Sequence, residues 1–254
     1  MERVAGDEAE PTIGVVGASE SERRARVEAA VTDARASLVT GDASHVVEPS
    51  PTFVVAVGER ALCSLVNVGV DAPVLAVDAG SGVPSVPVET VPEAIRSVLT
   101  GETARDARRC FDVAIDGETH PALYDVTLVT TEPARISEYA VRSGGDLVSR
   151  FRADGVVVAT PTGSHGYAGA AGSPLLEPGT GTATVVPIAP FSIQHDHWIL
   201  SDRAVDLSVE RDEGPVSLFV DDRPVHEVGT DVTVSLTPGA SLDLLSPPQA
   251  SGHW

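Results

Sequence analysis

The sequence predicts a two-part fold: a small α/β domain with a parallel sheet over residues 1–104, then a predominantly β, sandwich-like domain over 105–245 and a loose tail at 246–254. Three observations predict it. Apolar strands alternate with helical stretches before about residue 105, an order that implies parallel pairing through crossovers. Beyond that point short apolar runs are divided by Gly, Pro and Asp, the texture of an antiparallel β domain. Residues 154–174, DGVVVATPTGSHGYAGAAGSP, break that texture with a strand, a tight turn and a short small-residue helix.

Each element has its own signal. Residues 12–16 are apolar and β-branched, a strand; 19–36 are rich in Glu, Arg and Ala with apolar residues at helical spacing. Residues 52–57 and 73–78 are further apolar strands, expected side by side and parallel, with 61–68 helical between them and Glu59 just past the end of the first. Residues 89–99 read as a helix closed by Gly101. In the second part, strands are expected at 111–115, 124–130, 138–141, 155–159, 183–188, 205–209, 216–220 and 231–236. The Pro/Ser/Gly-rich end carries no pattern that would order it.

Composition excludes several functions. The 17 basic residues are all arginine, against 37 acidic residues, giving a net charge of −20. Such an imbalance strains a compact domain by self-repulsion. In molar salt the screening length falls to about 3 Å and the strain largely vanishes. A salt-rich cytoplasm, such as that of a halophilic archaeon, is the simplest setting. Nucleic acid is disfavoured as a partner, because phosphate neutralisation needs clustered cations. The absence of lysine removes the Walker-type phosphate loop. Cys63 and Cys110 lie in separate segments without metal spacing, which fits a reduced intracellular protein. The acidic first ten residues lack the apolar core of a signal peptide, and no apolar run approaches the ~18 residues needed to cross a bilayer. The expectation is a cytoplasmic protein with no membrane partner.

The chemistry points to residues 154–174. A β-branched strand ending in Thr160-Pro161-Thr162-Gly163 leaves backbone N–H groups and hydroxyls at its C-terminal end, and Ser164 is a suitable N-cap for the next helix. Small residues let a ligand lie against backbone, and Tyr167 offers a flat face for a base or sugar. A purely structural turn fits the same pattern equally well.

Four segments in order resemble the NAD kinase family. Residues 154–174 resemble its signature DG-apolar-TPTGS-TAY-x-LSAGGP; Val186-Pro187-Ile188-Ala189-Pro190-Phe191-Ser192 resembles its "tPiaPHsl" segment. Phe219-Val220-Asp221-Asp222 sits where the family has a strand ending in Asp-Gly, and residues 73–80 resemble its "PvlGiNlG" strand. The resemblance implies ATP-dependent phosphorylation of the adenosine 2′-hydroxyl of NAD, with Mg²⁺, at a cleft between the two domains of a homo-oligomer, a dimer or tetramer. It departs at the family's GGDGT turn, which here reads Val57-Gly58-Glu59-Arg60-Ala61. Glu59 stands at the catalytic Asp position. The family's nucleotide-holding Asn-Glu pair aligns with Tyr124-Asp125, TAY becomes His165-Gly166-Tyr167, and the "PHs" His becomes Phe191. On this resemblance Glu59 is the catalytic residue. Gly58, Arg60, Tyr124, Asp125, Asp154, Thr160, Thr162, Gly163, Ser164, His165, Gly166 and Tyr167 are the nucleotide-binding residues, and no dedicated metal ligands are identified. Two alternatives stay open: a catalytically impaired NAD(P)-binding paralogue acting as sensor or partner subunit, and a kinase of another small molecule.

Other polar residues read more plainly. His195-Asp196-His197 has the spacing of a metal pair but no third ligand cluster, so it reads as a turn. His226 reads as a surface residue after the Asp221-Asp222 strand end, and Arg60 by default as solvated.

Overall fold

The computed structural model describes residues 10–17, 22–132, 135–192 and 196–252. The chain divides into two compact units. The first comprises residues 1–80, 84–106 and 243–251; the second comprises 81–83, 107–242 and the last residues.

The first unit runs β1 (Thr12–Val16), α1 (Glu22–Asp33), β2 (Ser37–Gly41), α2 (Ala43–Val47), β3 (Phe53–Val57), α3 (Glu59–Asn67), β4 (Val74–Val77), the two-residue β5 (Ser85–Val86) and α4 (Val91–Leu99). Its sheet is parallel in the order β2-β1-β3-β4, and β5 pairs parallel with β4. The expected neighbours are in register, with Val54 opposite Val74 and Val57 opposite Val77. One sheet face buries Ile13, Val15, Phe53, Val55, Leu75 and Val77 against Val27 and Val31 of α1 and Ala94 and Ile95 of α4. On the other face α2 presses so close that a Cβ on Gly14 would overlap the Val46 side chain. Helix α4 begins at Val91 rather than Glu89, after a 3₁₀ turn over Val88–Thr90, and Gly101 closes it at φ 78°.

The second unit is built from β6 (Ala104–Ile115), whose first three residues belong to the first unit, β7 (Glu118–Ala122), β8 (Asp125–Thr130), β9 (Ser137–Ser143), β10 (Asp146–Ala153), β11 (Gly155–Ala159), α5 (Tyr167–Ala170), β12 (Thr182–Ile188), β13 (Trp198–Ser201), β14 (Val205–Arg211), β15 (Val216–Val220), β16 (Arg223–Glu227) and β17 (Thr233–Ser246), whose last four residues belong to the first unit. One antiparallel sheet has the order β10-β9-β14-β17, the other β13-β12-β11-β8-β15-β16. Strand side chains alternate between faces. Val156 and Val158 of β11 therefore join Leu128, Tyr139, Leu207, Leu218 and Leu236 in the core between the sheets, as a sandwich requires. Val157 and Ala159 face the other way and pack on Ala168 of α5. Strand β11 is thus buried on both faces.

The expected loose tail is a correction. Ser251 and Ser85 exchange backbone hydrogen bonds at 2.8 and 2.9 Å, and Ala250 packs on the first unit's core. The edge strand β5 supplies unpaired backbone groups that order the segment. Residues 253–254 lie outside the described residues, as does His195.

Candidate functional site

In the second unit two backbone segments form one braced structure. Asp221 and Asp222 make the two-residue link between β15 and β16 with φ of 48° and 65°, the left-handed pair a type I′ hairpin needs. That turn places the Asp221 carboxylate under the 123–125 backbone, where it accepts N–H bonds from Leu123 at 2.8 Å, Tyr124 at 2.7 Å and Asp125 at 3.2 Å. Burial pushes this carboxyl up from its ordinary value, and the three N–H donors pull it part of the way back. The 160–167 turn then fastens onto the same segment. Thr160 donates its N–H to the Tyr124 carbonyl at 2.9 Å and its hydroxyl to the Leu123 carbonyl at 2.7 Å. The Thr160 Oγ1 in turn accepts the Gly163 N–H at 3.1 Å.

Glycine is obligatory at two places here. A Cβ on Gly163 would overlap the Tyr124 carbonyl. Gly82, at φ 88°, lies so close to the Thr162 carbonyl that a Cβ there would overlap it too, and the His165 ring sits beside it. Residues 81–83 belong to the second unit and pack on the turn they support.

Ser164 is not the helix N-cap expected of it; Gly166 holds that position for α5. The Ser164 side chain is fully buried and donates to the Pro161 carbonyl at 2.7 Å while accepting the Leu176 N–H at 3.1 Å. Its hydroxyl ties the turn to the following loop. Thr160 and Thr162 are each 2% exposed, so they shape the turn rather than cover its surface. The Tyr124 side chain is also buried; what that residue offers the site is backbone.

The exposed residues carry the chemistry. Tyr167 is 46% exposed. Its phenol is pushed up by burial of its inner edge and then by the negative charges of Asp125 and Asp154. Asp125 opens β8 and Asp154 lies between β10 and β11, so the charges of two separate segments bear on this exposed ring. Asp125 also takes the Thr127 hydroxyl at 3.4 Å, and the Asp154 backbone is held by Thr130, Ile188 and the Tyr139 hydroxyl. Such a group can stack a planar base and accept hydrogen bonds from sugar hydroxyls. His165 and Gly166 lie between the buried and exposed ends of the turn. His197 instead sits against the Gly172 carbonyl at 3.1 Å, and among the described residues no cluster of three metal-type side chains exists.

Gly58, Glu59 and Arg60 stand together in the first unit. Gly58 caps α3 at φ 84° and donates its N–H to the Val77 carbonyl at 2.8 Å. Val57 and Arg60 do not take positive φ, so the altered turn keeps its glycine at the position that needs one. Glu59 occupies the first helical turn, and both it and Arg60 are exposed.

Asp221 and Gly82 are the residues that sequence reasoning did not select. The readable signal for Asp221 was an Asp-Asp pair closing an apolar strand; Gly82 gave none, because its neighbour is remote in sequence.

The chain is similar to known proteins in sequence and in fold. Residues 123–242 match the ATP-NAD kinase C-terminal domain. The NAD kinase of Methanospirillum hungatei is 33% identical over 147 residues, 57% of this chain and 54% of that protein. The Methanosarcina acetivorans NAD kinase is 32% identical over 168 residues, 65% of this chain and 61% of that protein. The matches thus span a little over half the length of these curated relatives. Among solved structures, yeast NADH kinase complexed with NADH superposes with a TM-score of 0.80 at 16% identity, covering 96% of this chain and 85% of that one. An Archaeoglobus fulgidus NAD kinase in complex with ATP gives 0.73 at 21% identity over 93% of both chains. Residues 123–242 thus match the ATP-NAD kinase C-terminal domain, within a chain whose fold is that of the solved NAD and NADH kinases.

Proposed function

We propose that this chain is an NAD kinase, transferring the γ-phosphoryl group of ATP to the adenosine 2′-hydroxyl of NAD. The observation that carries the reading is the exposed Tyr167 at the end of a TPTGS-type turn whose Thr160 is bonded to the Leu123 and Tyr124 carbonyls, next to Asp125. In this reading Tyr167 stacks a planar ring of NAD, and Asp125 and Asp154 accept bonds from ribose hydroxyls. The exposed backbone of Gly166 approaches the ligand, with His165 beside it. Glu59 takes the proton of the 2′-hydroxyl as its oxygen attacks the γ-phosphorus; the bond to the β-phosphate oxygen breaks and ADP leaves. Arg60 extends its guanidinium to a phosphate oxygen. Mg²⁺ enters with ATP as the substrate complex. The same reading includes the homo-oligomer implied by the family and a salt-rich cytoplasm, in keeping with the net charge of −20. Among the described residues no helix is long and apolar enough to cross a membrane.

The deciding experiment is ATP-dependent NADP formation in molar KCl with wild type and Glu59→Gln. An active wild type whose turnover falls by about 10²-fold or more in the variant, at unchanged NAD affinity, is the expected result. NAD binding without turnover in either protein overturns the kinase reading and leaves a binding paralogue. Turnover that ignores Glu59→Gln removes Glu59 from the mechanism.

A further inference from the structure

We infer that the Arg23–Asp78 ion pair keeps the phosphoryl-transfer end of the first unit open to ATP: Arg23 neutralises a carboxylate that would otherwise repel the triphosphate. The inference rests on the kinase reading, which puts the γ-phosphoryl group at Glu59.

Topology brings the pair to that place. Strand β3 lies between β1 and β4, parallel to both, so all three end at one rim of the sheet. At that rim Gly58 donates its N–H to the Val77 carbonyl at 2.8 Å, so Glu59 and Asp78 each stand one residue from a shared backbone bond. Asp78 takes φ of 47°, a left-handed conformation that Asp tolerates better than most residues. Two bonds hold it there. Its N–H donates to the Val86 carbonyl at 3.1 Å, and its Oδ1 accepts the Val88 N–H at 3.3 Å. Arg23 comes from the other side. Its neighbour Arg24 fixes the start of α1 by donating to the Gly17 carbonyl, just past β1, at 3.1 Å. The Arg23 Nε then meets Asp78 Oδ2 at 3.2 Å. The pair thus joins the two sides of the rim around the β3 end that leads into Gly58 and Glu59.

Charge gives the pair its consequence. Asp78 stands where the family's "PvlGiNlG" strand carries Asn, so this rim holds a carboxylate in place of a neutral amide. Glu59 adds a second acidic group in the first turn of α3. Asp78 is 24% exposed, and the charge of a partly buried group is screened less than that of a solvated one. Arg23, 62% exposed, cancels it. As a bond, an exposed pair of this kind adds little to stability. Its contribution is to lower the negative charge that a triphosphate meets on reaching Glu59.

The test is calorimetric titration of the full chain with ATP in the absence of NAD, in molar KCl and at about 0.3 M. Wild type is compared with Arg23→Gln, Asp78→Asn and the double variant. Arg23→Gln should weaken ATP binding by about threefold or more at the lower salt, and by less in molar KCl, where the bared carboxylate is screened. Asp78→Asn should bind ATP at least as tightly as wild type. The double variant should recover wild-type affinity, a rescue that misfolding cannot produce. Because binding is read without turnover, the same pattern can emerge from a chain that binds ATP and does not transfer its phosphoryl group, so the two readings fail separately. No ATP binding by wild type, equal affinity in wild type and Arg23→Gln, no rescue in the double variant, or a loss in Asp78→Asn as large as that in Arg23→Gln overturns the proposal.

Discussion

The Asp221 carboxylate accepts three backbone N–H groups from the segment that carries Tyr124 and Asp125, so its loss should be felt in stability and in ligand binding together. Hydrogen bonds to a charged group contribute about 1.5–3 kcal/mol each, and relief of the carboxylate's burial offsets part of that. Asp221→Asn keeps the shape but turns an amide donor toward N–H donors. We expect a destabilisation on the order of 2 kcal/mol by urea unfolding, with weaker nucleotide binding. An unchanged urea midpoint would remove the bracing role. Cys110 gives a pH test. Burial first, then the charge of Asp221, pushes its thiol from 9.0 up to about 12. Its thiolate at pH 8 is thus scarcer by about 10³-fold, and alkylation of the native protein should slow to match. The sign for stability follows from the raised value. The thiol's contribution is complete below pH 9.0 and is lost as pH rises toward about 12, where the native thiol also ionises. Unfolding free energies of wild type and Cys110→Ala should converge over that interval; a constant gap would show that the native thiol ionises normally.

Elements buried on both faces were the easiest to read. Strands β11 and β15 have the limits expected, β3 starts one residue late and β4 is one residue shorter at each end, because β-branched runs between turn residues leave few alternatives. Elements at the periphery escaped. Strand β10 carries two arginines and an aspartate, β16 begins Arg-Pro, and β7 contains a proline; β2 and β13 each pair on one side alone, with little apolar alternation to mark them. Such residues protect strand edges and erase the pattern that would reveal them. The candidate site divides similarly. The residues proposed for its chemistry, Asp154, His165 and Tyr167, fall in the 154–167 stretch that the sequence singles out, whereas its braces run through long-range backbone bonds that no local pattern encodes. Gly163→Ala and Gly82→Ala test those braces at the level of the turn. Each Cβ would overlap a backbone carbonyl, which cannot swing aside as a side-chain end can. Overpacking costs typically about 1–3 kcal/mol, and Gly82 adds the strain of positive φ. Both variants should lower the melting temperature, and Gly82→Ala should also weaken nucleotide binding by displacing Thr162 and His165. Wild-type melting and affinity in Gly82→Ala would show that residues 81–83 shift without consequence for the turn.

Across the whole molecule, charge is the dominant variable. Arginines are used as bridges: Arg150 spans Glu138 and Glu210, Arg142 meets Glu210 at 3.4 Å, and Glu213 takes both Arg152 and Arg211. Exposed pairs of this kind contribute about 0–1 kcal/mol each and weaken with salt. Against them stands the repulsion of a net charge of −20, which salt also weakens. The two effects oppose, and the excess of carboxylates makes repulsion the larger. The melting temperature should therefore rise from low salt to molar KCl, as the screening length falls from about 10 Å at 0.1 M to about 3 Å at 1 M. Exclusion of salt from the protein surface would produce the same rise without any role for charge. A variant separates the causes: Glu48→Gln, Glu102→Gln, Asp146→Asn and Glu177→Gln together remove four exposed carboxylates that hold no arginine among the described residues, taking the net charge from −20 to −16. If repulsion governs, the variant is more stable than wild type at low salt, its salt dependence is shallower, and the two melting curves meet at molar KCl. Parallel curves, displaced by a constant amount or not at all, would assign the effect to solvent exclusion and leave the acidic surface without a stabilising logic of its own.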